Sequence, residues 1–303
     1  MTQTPVARPM ESETAIASGN NPTRAAWQLR TRELHFGSIP ALMGIVNVTP
    51  DSFSDGGSFF NAQAAIDHAL RLEDAGADLI DIGGESTRPY SHSISSDDEL
   101  RRVVPVFEAL SGRVQCPLSI DSSKSPVALA AIDLGAEIIN DVTGLTGDPE
   151  MLRVAVESAV GVCAMHMQGT PQTMQDLPTY IDVVAEIHQY LRDRQTALLD
   201  AGVPRAKICL DPGIGFGKTH AHNLELLRNC HAFLDLGSPI LIGHSRKGFV
   251  GKVIGDADAP RDAGTLGFSL ALAAKRMHIL RVHEVAATRQ ALLCFAAGGG
   301  IAL

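Results

Sequence analysis

ALMGIVNVTPDSFSDGGSFFNAQAAIDHALRLEDAGADLIDIGG, residues 41–84, contains the unit that decides the fold. It opens on an almost unbroken apolar run over 41–49, the length and composition of a strand buried on both faces. A polar, Gly- and Ser-rich loop follows, then a stretch over 61–75 with apolar residues three and four apart, the spacing of an amphipathic helix. A second apolar run covers 78–84. Strand, loop, helix and strand in that order form a right-handed βαβ crossover with parallel strands. The rhythm continues in apolar runs at 117–121, 137–141, 161–167, 207–211, 239–244 and 279–283, which brings the number to eight. Helical patterns at 124–134, 181–201, 223–236 and 262–277 lie between them. Eight βα units over residues 36–303 predict an α/β chain folded as one (β/α)8 TIM barrel. An open dinucleotide-binding sheet is the competitor, but no strand here is followed by G-x-G-x-x-G opening a helix.

Composition removes several other classes. The chain has 303 residues, 45% of them hydrophobic, enough to bury a large core without covalent staples. A formal net charge of −9 argues against nucleic acid or an acidic membrane surface as partner, though not against a small anion in a locally basic site. No apolar stretch reaches the ~18 residues of a membrane helix. Cys116, Cys163, Cys209, Cys230 and Cys294 are odd in number and have no C-x-x-C spacing, so reduced core cysteines of a cytoplasmic protein are expected. No basic segment followed by an apolar run marks a secretory signal. Residues 1–35 are rich in Thr, Ser, Ala and Asn and are expected to be a flexible arm before the barrel.

In a barrel, chemistry collects where strands end, and every strand end here is polar. The eight ends carry NVTPDSFSDGG (47–57), DIGGESTRP (81–89), DSSK (121–124), Asn140 with Asp141, His166 with Gln168, DPGIGFGK (211–218), GHSRK (243–247) and RVH (281–283). Helix capping accounts for any one of these; eight in succession call for more. Arg281, His283, Ser245, Arg246 and Lys247 read as an anion site built from two neighbouring loops, the usual phosphate pocket of such barrels. Ion pairs to acidic residues on the helices are the alternative for these cations. Asp121, Asn140 and Asp211 project towards the barrel axis, where a buried carboxylate is costly unless paired. A planar heterocycle with adjacent N–H and amino donors would pair them; an internal network with Lys247 is the alternative. Asn47 offers a hard oxygen near the anion site and, with Asp51 and Asp55, could hold Mg²⁺ together with substrate phosphates and waters. His220 and His222 have a metal-like spacing without a third ligand, and helix-start capping is the preferred reading. The loops after the first two strands, with Phe53 in the first, suit closure over a site.

These segments resemble, in order and at all eight strand ends, those of dihydropteroate synthases of the pterin-binding barrel superfamily. The resemblance implies condensation of 6-hydroxymethyl-7,8-dihydropterin pyrophosphate with p-aminobenzoate, giving 7,8-dihydropteroate and pyrophosphate in folate synthesis. It places Asp121, Asn140, Asp211 and Lys247 at pterin-binding positions, and Asn47, Arg281 and His283 at pyrophosphate and Mg²⁺ positions. Asp55, Thr87 and Arg88 match the two mobile loops; Phe53, Pro89, Phe216 and Lys247 match the surroundings of the aminobenzoate. A homodimer through the last helices is implied as well. Two positions depart from the pattern: Gly248 stands where Ser is frequent after Ser-Arg-Lys, and Tyr90-Ser91 stand where Gly-Ala commonly follows Thr-Arg-Pro. A methyltetrahydrofolate corrinoid methyltransferase shares the barrel but has no need of Ser245-Arg-Lys247 and Arg281-x-His283 for pyrophosphate. A catalytically silent relative that binds pterin or a partner protein is the other alternative.

Overall fold

Each expected apolar run forms a strand of one parallel sheet that closes on itself. The computed structural model describes residues 26–49 and 58–301. A short hairpin, β1 (Ala26–Gln28) and β2 (Glu33–His35), precedes the barrel. The barrel strands are β3 (Ala41–Asn47), β4 (Leu79–Gly83), β5 (Leu118–Asp121), β6 (Ile138–Asp141), β7 (Gly161–Met165), β8 (Ile208–Asp211), β9 (Leu241–Ile242) and β10 (Ile279–Val282). Neighbours run β8-β7-β6-β5-β4-β3-β10-β9, and a bridge between Leu210 and Ile240 joins the two ends. There the Leu210 N–H donates to the Pro239 carbonyl at 2.9 Å. β9 is shorter than the expected 239–244 for a local reason. Pro239 has no N–H to give the ladder, and the Ile240 N–H goes to His278 Nδ1 at 3.1 Å.

Around the barrel lie α1 (Ser58–Asp74), α2 (Ser96–Leu110), α3 (Ser125–Asp133), α4 (Met151–Ser158), α5 (Val183–Asp200), α6 (His220–Asn229), α7 (Gly248–Ile254), α8 (Asp262–Ala274) and α9 (Val285–Ala297). Local chemistry starts them: Ser95 accepts from the Asp98 N–H ahead of α2, and Asp182 from the Val184 and Ala185 N–H groups ahead of α5. The helix expected over 223–236 is two pieces, because after α6 the chain tightens into a 3-10 segment, Cys230–Leu236, that ends on Gly237 at φ 69°.

Residues 26–35 depart from the expected arm, since β1 and β2 pair there antiparallel. Trp27 is fully buried and its indole N–H donates to the Lys207 carbonyl at 2.9 Å, while the Lys207 ammonium donates to Leu29 O at 2.7 Å. Residues 26–35 are thus strand and turn on the near side of the boundary expected at residue 35; the apolar content of AWQL was too brief to stand out.

The core has two compartments. One lies between strands and helices; the other fills the lower barrel with Trp27, Leu29, Met43, Leu79, Ile138, Cys163, Cys209, Leu241 and Ile279. Side chains alternate faces along a strand, so the residue two positions on points the same way, one layer higher. Above Leu79, Ile138, Cys209 and Ile279 that rule puts Asp81, Asn140, Asp211 and Arg281. The barrel interior therefore changes from apolar to polar within one pleat, and this change creates the site.

Candidate active site

Arg281 is the centre of the polar layer. Its Nε lies 2.6 Å from Asp81 Oδ2 and its Nη2 2.7 Å from Asp121 Oδ2. Asn140 Nδ2 donates to the same Asp81 oxygen at 3.0 Å. Arg281, read from sequence with the anion group, is thus hydrogen-bonded into a network with Asp121 of the ring group and, through Asp81, with Asn140. Burial works against the Arg281 charge, but the carboxylates of Asp81 and Asp121 outweigh it and raise the guanidinium pKa still further. Burial pushes the Asp121 carboxyl above its ordinary range, and Arg281 opposes that shift.

Across the pocket, Asp211 is buried and accepts from the Gly213 N–H at 2.7 Å. Burial raises its pKa, against the hydrogen bond from Gly213 and the positive charge of Lys247. Lys247 donates to the Ile214 carbonyl and stands 4.4 Å over the half-buried Phe216 ring, a cation–π contact. Burial brings the Lys247 ammonium down to about 8. Affinity for an anionic ligand is therefore expected to fall as pH rises through that value, with Lys247→Arg keeping affinity flat; a titration of ligand binding across this range checks it. The sign for stability is opposite. Between about 8 and 10.5 the unfolded lysine holds more protons than the folded one, so this group's contribution to stability rises with pH there. The affinity loss is thus not unfolding.

His283 and Ser245 pair at the ends of the last two strands. The Ser245 hydroxyl lies 2.9 Å from His283 Nδ1, and the His283 N–H donates back to Ser245 Oγ at 3.3 Å. Burial, then the charges of Arg281, Arg246 and Arg88, lower the imidazole to about 3, so it is neutral at pH 7. Arg88, exposed on the loop after β4, is therefore within electrostatic reach of this pair, next to half-buried Thr87 and exposed Pro89. Arg246 departs from the anion-site reading: it pairs with Asp262 at 2.6 Å and Glu284 at 2.5 Å, the alternative of ion pairs to helix acids. Asn47 sits half-buried at the upper end of β3, in register with Gly83. Asp51, Phe53 and Asp55 lie outside the described residues. His222 serves as a cap: its N–H donates to Thr219 Oγ1 and its Nδ1 accepts from the Thr219 N–H.

Several further residues of the strand ends support the site. Asp81 is fully buried, yet the two-residue step from Leu79 would have flagged it. Lys218 donates to Phe216 O at 2.8 Å and lies 3.0 Å from His166 Nδ1, which stitches the loop after β8 to the end of β7. Lys124 reaches Glu85 at 2.7 Å and Glu99 at 2.6 Å, while Glu85 Oε1 accepts from the Ile94 N–H at 2.9 Å, pinching the base of the loop with Thr87 and Arg88. The glycines of DPGIGFGK also have a physical reason. Gly213 has φ 70°, and a Cβ there would lie 1.9 Å from the His166 carbonyl oxygen. Gly213→Ala is expected to cost about 3 kcal/mol or more, from the left-handed backbone and the clash, and thermal unfolding measures it.

The family model described as pterin binding enzyme matches residues 43–283. The dihydropteroate synthase of Escherichia coli strain K12 is 43% identical over 255 residues, covering 84% of this chain and 90% of that protein. The chain belongs to the dihydropteroate synthase family. A solved structure of the Xanthomonas albilineans dihydropteroate synthase with 4-aminobenzoic acid superposes with a TM-score of 0.85 at 43% identity, covering 91% of this chain and 99% of that one. The enzyme of the same organism in complex with 7,8-dihydropteroate gives a TM-score of 0.81 at 41% identity, covering 90% of this chain and 98% of that one. The eight-stranded barrel and the family expected from the motifs are thus both found. The glycine common in the family after Thr-Arg-Pro also has an explanation here. Tyr90 occupies that position at φ 64°, a left-handed conformation that costs a non-glycine residue ~1–2 kcal/mol. Its N–H donates to Pro171 O at 3.0 Å, which ties the loop after β4 to the loop after β7. At Gly248 a Cβ would meet nothing within 4 Å, so the missing serine leaves open space rather than a filled one.

Proposed function

We propose that the chain condenses 6-hydroxymethyl-7,8-dihydropterin pyrophosphate with p-aminobenzoate to give 7,8-dihydropteroate and pyrophosphate, in folate biosynthesis. The observation that carries this reading is the polar layer at the strand ends, in which Arg281 pairs with Asp121 and, through Asp81, with Asn140, while Asp211 lies within reach of the charges of Arg281 and of Lys247, which stands over Phe216. The acceptor-rich half suits a ring edge bearing several N–H donors. Arg281 and His283 suit the anion attached to that ring.

The reaction breaks the bond between the exocyclic methylene carbon and the pyrophosphate oxygen. Both bonding electrons leave with pyrophosphate, and the positive charge left on carbon spreads into the electron-rich ring in a dissociative, SN1-like path. Asp121 and Asp211 favour that charge; Arg281 and His283 favour the one that departs. The arylamine nitrogen then bonds to the carbon and loses a proton. Because that amine is neutral at cellular pH, no strong base is needed. Thr87, Arg88 and Pro89, with Asp55 and Phe53 of the first loop, would order over the reacting carbon and keep water from it; Phe216 and Lys247 would flank the aminobenzoate.

Among the described residues no group of three or more His, Cys, Asp or Glu could cage a metal. The half-buried amide of Asn47, at the upper end of β3, offers one hard oxygen of the kind that suits Mg²⁺, which keeps most of its waters and binds through phosphate oxygens. Such an ion would supply added charge neutralisation on the leaving group, with Asn47 as its protein ligand. A homodimer through the last helices is supported by Val253, Ile254 and Leu293, exposed apolar residues of α7 and α9; a monomeric mass by sedimentation at micromolar concentration would contradict it. No helix among the described residues is long and apolar enough to cross a membrane. With five free cysteines, three of them buried, a cytoplasmic location is the one we favour.

The purified chain, incubated with the pterin pyrophosphate, p-aminobenzoate and Mg²⁺, tests the reading. Pyrophosphate release that depends on aminobenzoate is expected. Pterin binding without such release would point to the silent relative instead.

A further inference from the structure

We infer that Asp81 is a positioning residue that sets the orientation of both Arg281 and Asn140, and so couples the anion half of the pocket to the ring half. This rests on the reaction proposed above. Asp81 lies on β4, between β3 and β5, and has no exposed surface. One of its oxygens, Oδ2, accepts from Arg281 Nε at 2.6 Å and from Asn140 Nδ2 at 3.0 Å. Oδ1 has no partner among the described residues. A carboxylate buried in this way is costly, and the guanidinium is what offsets the cost.

The geometry has two consequences. An Nε contact fixes the plane of the guanidinium, because Nε lies at the root of the fork; the Nη groups are then aimed by Asp81 and not by the flexible side chain. With Nη2 on Asp121, the N–H donors left over are those available to an anion. The second consequence concerns Asn140. Its NH₂ faces Asp81, so its Oδ1 is the atom presented to a ligand, and it acts there as an acceptor. Asn140 and the carboxylates of Asp121 and Asp211 then offer acceptors to a ring, with Lys247 as the donor beside them. That suits a heterocycle edge made of N–H donors and disfavours a ring that presents an acceptor at the Asn140 position. Asp81 touches neither ring nor anion in this scheme. It acts through the two residues that do.

The test uses the full chain with Asp81→Ala, Asp81→Asn, Arg281→Lys and the D81A/R281K double variant. Steady-state kinetics for both substrates are combined with binding of inorganic pyrophosphate and of 6-hydroxymethylpterin, which lacks the pyrophosphate. D81A is expected to lower kcat about 100-fold, the scale of a misaimed catalytic group, and to weaken both pyrophosphate and pterin binding, leaving KM for aminobenzoate within about twofold. D81N, which keeps an acceptor oxygen but no charge, is expected to recover part of the loss. R281K keeps the charge but has no Nε to aim it, and is expected to resemble D81A in kcat. The double variant should then be no more than about twofold worse than the poorer single one, as for residues acting as a unit. Unchanged kcat and affinities in D81A, losses that multiply in the double variant, or an equal rise in KM for aminobenzoate would each overturn the inference. Should D81A fail to fold, R281K decides: wild-type kcat in that variant overturns it. A wild-type chain that forms no product overturns the proposed function, whereas a competent wild type with an unaffected Asp81 variant overturns only this inference.

Discussion

Arg281→Met is expected to lower turnover by about three orders of magnitude, because it removes the cation that meets charge developing on the leaving group. The same substitution strands two carboxylates. Asp81 is fully buried and Asp121 nearly so, and both now pair with Arg281. Removing one partner of a buried pair costs about 3 kcal/mol or more. The pH dependence separates this structural cost from the catalytic one. Burial already raises the Asp121 carboxyl, and Arg281 is what opposes it. Without the guanidinium Asp121 binds its proton more tightly in the folded state than in the unfolded state, so the folded chain holds more protons and its stability falls as pH rises. The variant is therefore expected to unfold at a higher temperature in mildly acidic than in mildly alkaline buffer, while its turnover stays low in both. Thermal unfolding under the two conditions, with kcat measured alongside, checks both halves. Turnover within about tenfold of wild type would remove Arg281 from the mechanism.

Asp211→Asn should behave in the opposite way on stability. Asp211 is a buried carboxylate whose pKa burial raises, so its charge is a cost to the unliganded fold. The amide that replaces it keeps an oxygen for the Gly213 N–H and removes the charge, and the variant is expected to be at least as stable as the parent. Recognition of the ring should suffer instead. An N–H donor of the ring would face an NH₂ group where it had a carboxylate oxygen, and affinity for the pterin is expected to drop about 100-fold. Calorimetric titration with a pterin lacking pyrophosphate measures this without interference from the anion half. Unchanged pterin affinity would mean that Asp211 does not recognise the ring.

The contrast between these two variants shows what sequence could and could not convey. Strand-length apolar runs separated by helical periodicity were enough to predict the barrel, since burial on both faces leaves a continuous apolar signature. The polar strand ends were equally plain, and the structure brings Asp121 and Arg281 into contact and places Asp211, Lys247 and His283 within electrostatic reach of that pair or of one another. Partner choice was not legible. Arg246 and Arg281 both looked like anion ligands, but Arg246 lies over helix acids and Arg281 lies between strand carboxylates. Nothing in the local pattern separates them; the difference arises from the register of β10 against β3 and β9, which is a non-local fact. Asp81 is the third residue of its strand, as Asn140 and Arg281 are of theirs, so position alone does not set its role apart; its pairing with Arg281 across the barrel is again a non-local fact. The hairpin before the barrel was missed because its apolar content is so brief, and only docking under the barrel buries Trp27.

In the proposed reaction one polar layer holds the ring and the anion apart so that the carbon–oxygen bond between them breaks. A dihydropterin pyrophosphate carrying ¹⁸O in the bridge between carbon and phosphorus tests this most directly, turned over by the wild-type chain with ¹⁵N-labelled p-aminobenzoate. All the ¹⁸O is expected to leave in pyrophosphate, with each pyrophosphate matched by one ¹⁵N-labelled dihydropteroate. Recovery of the ¹⁸O on a hydroxymethyl pterin, with no ¹⁵N incorporated, would mean attack at phosphorus and would contradict it.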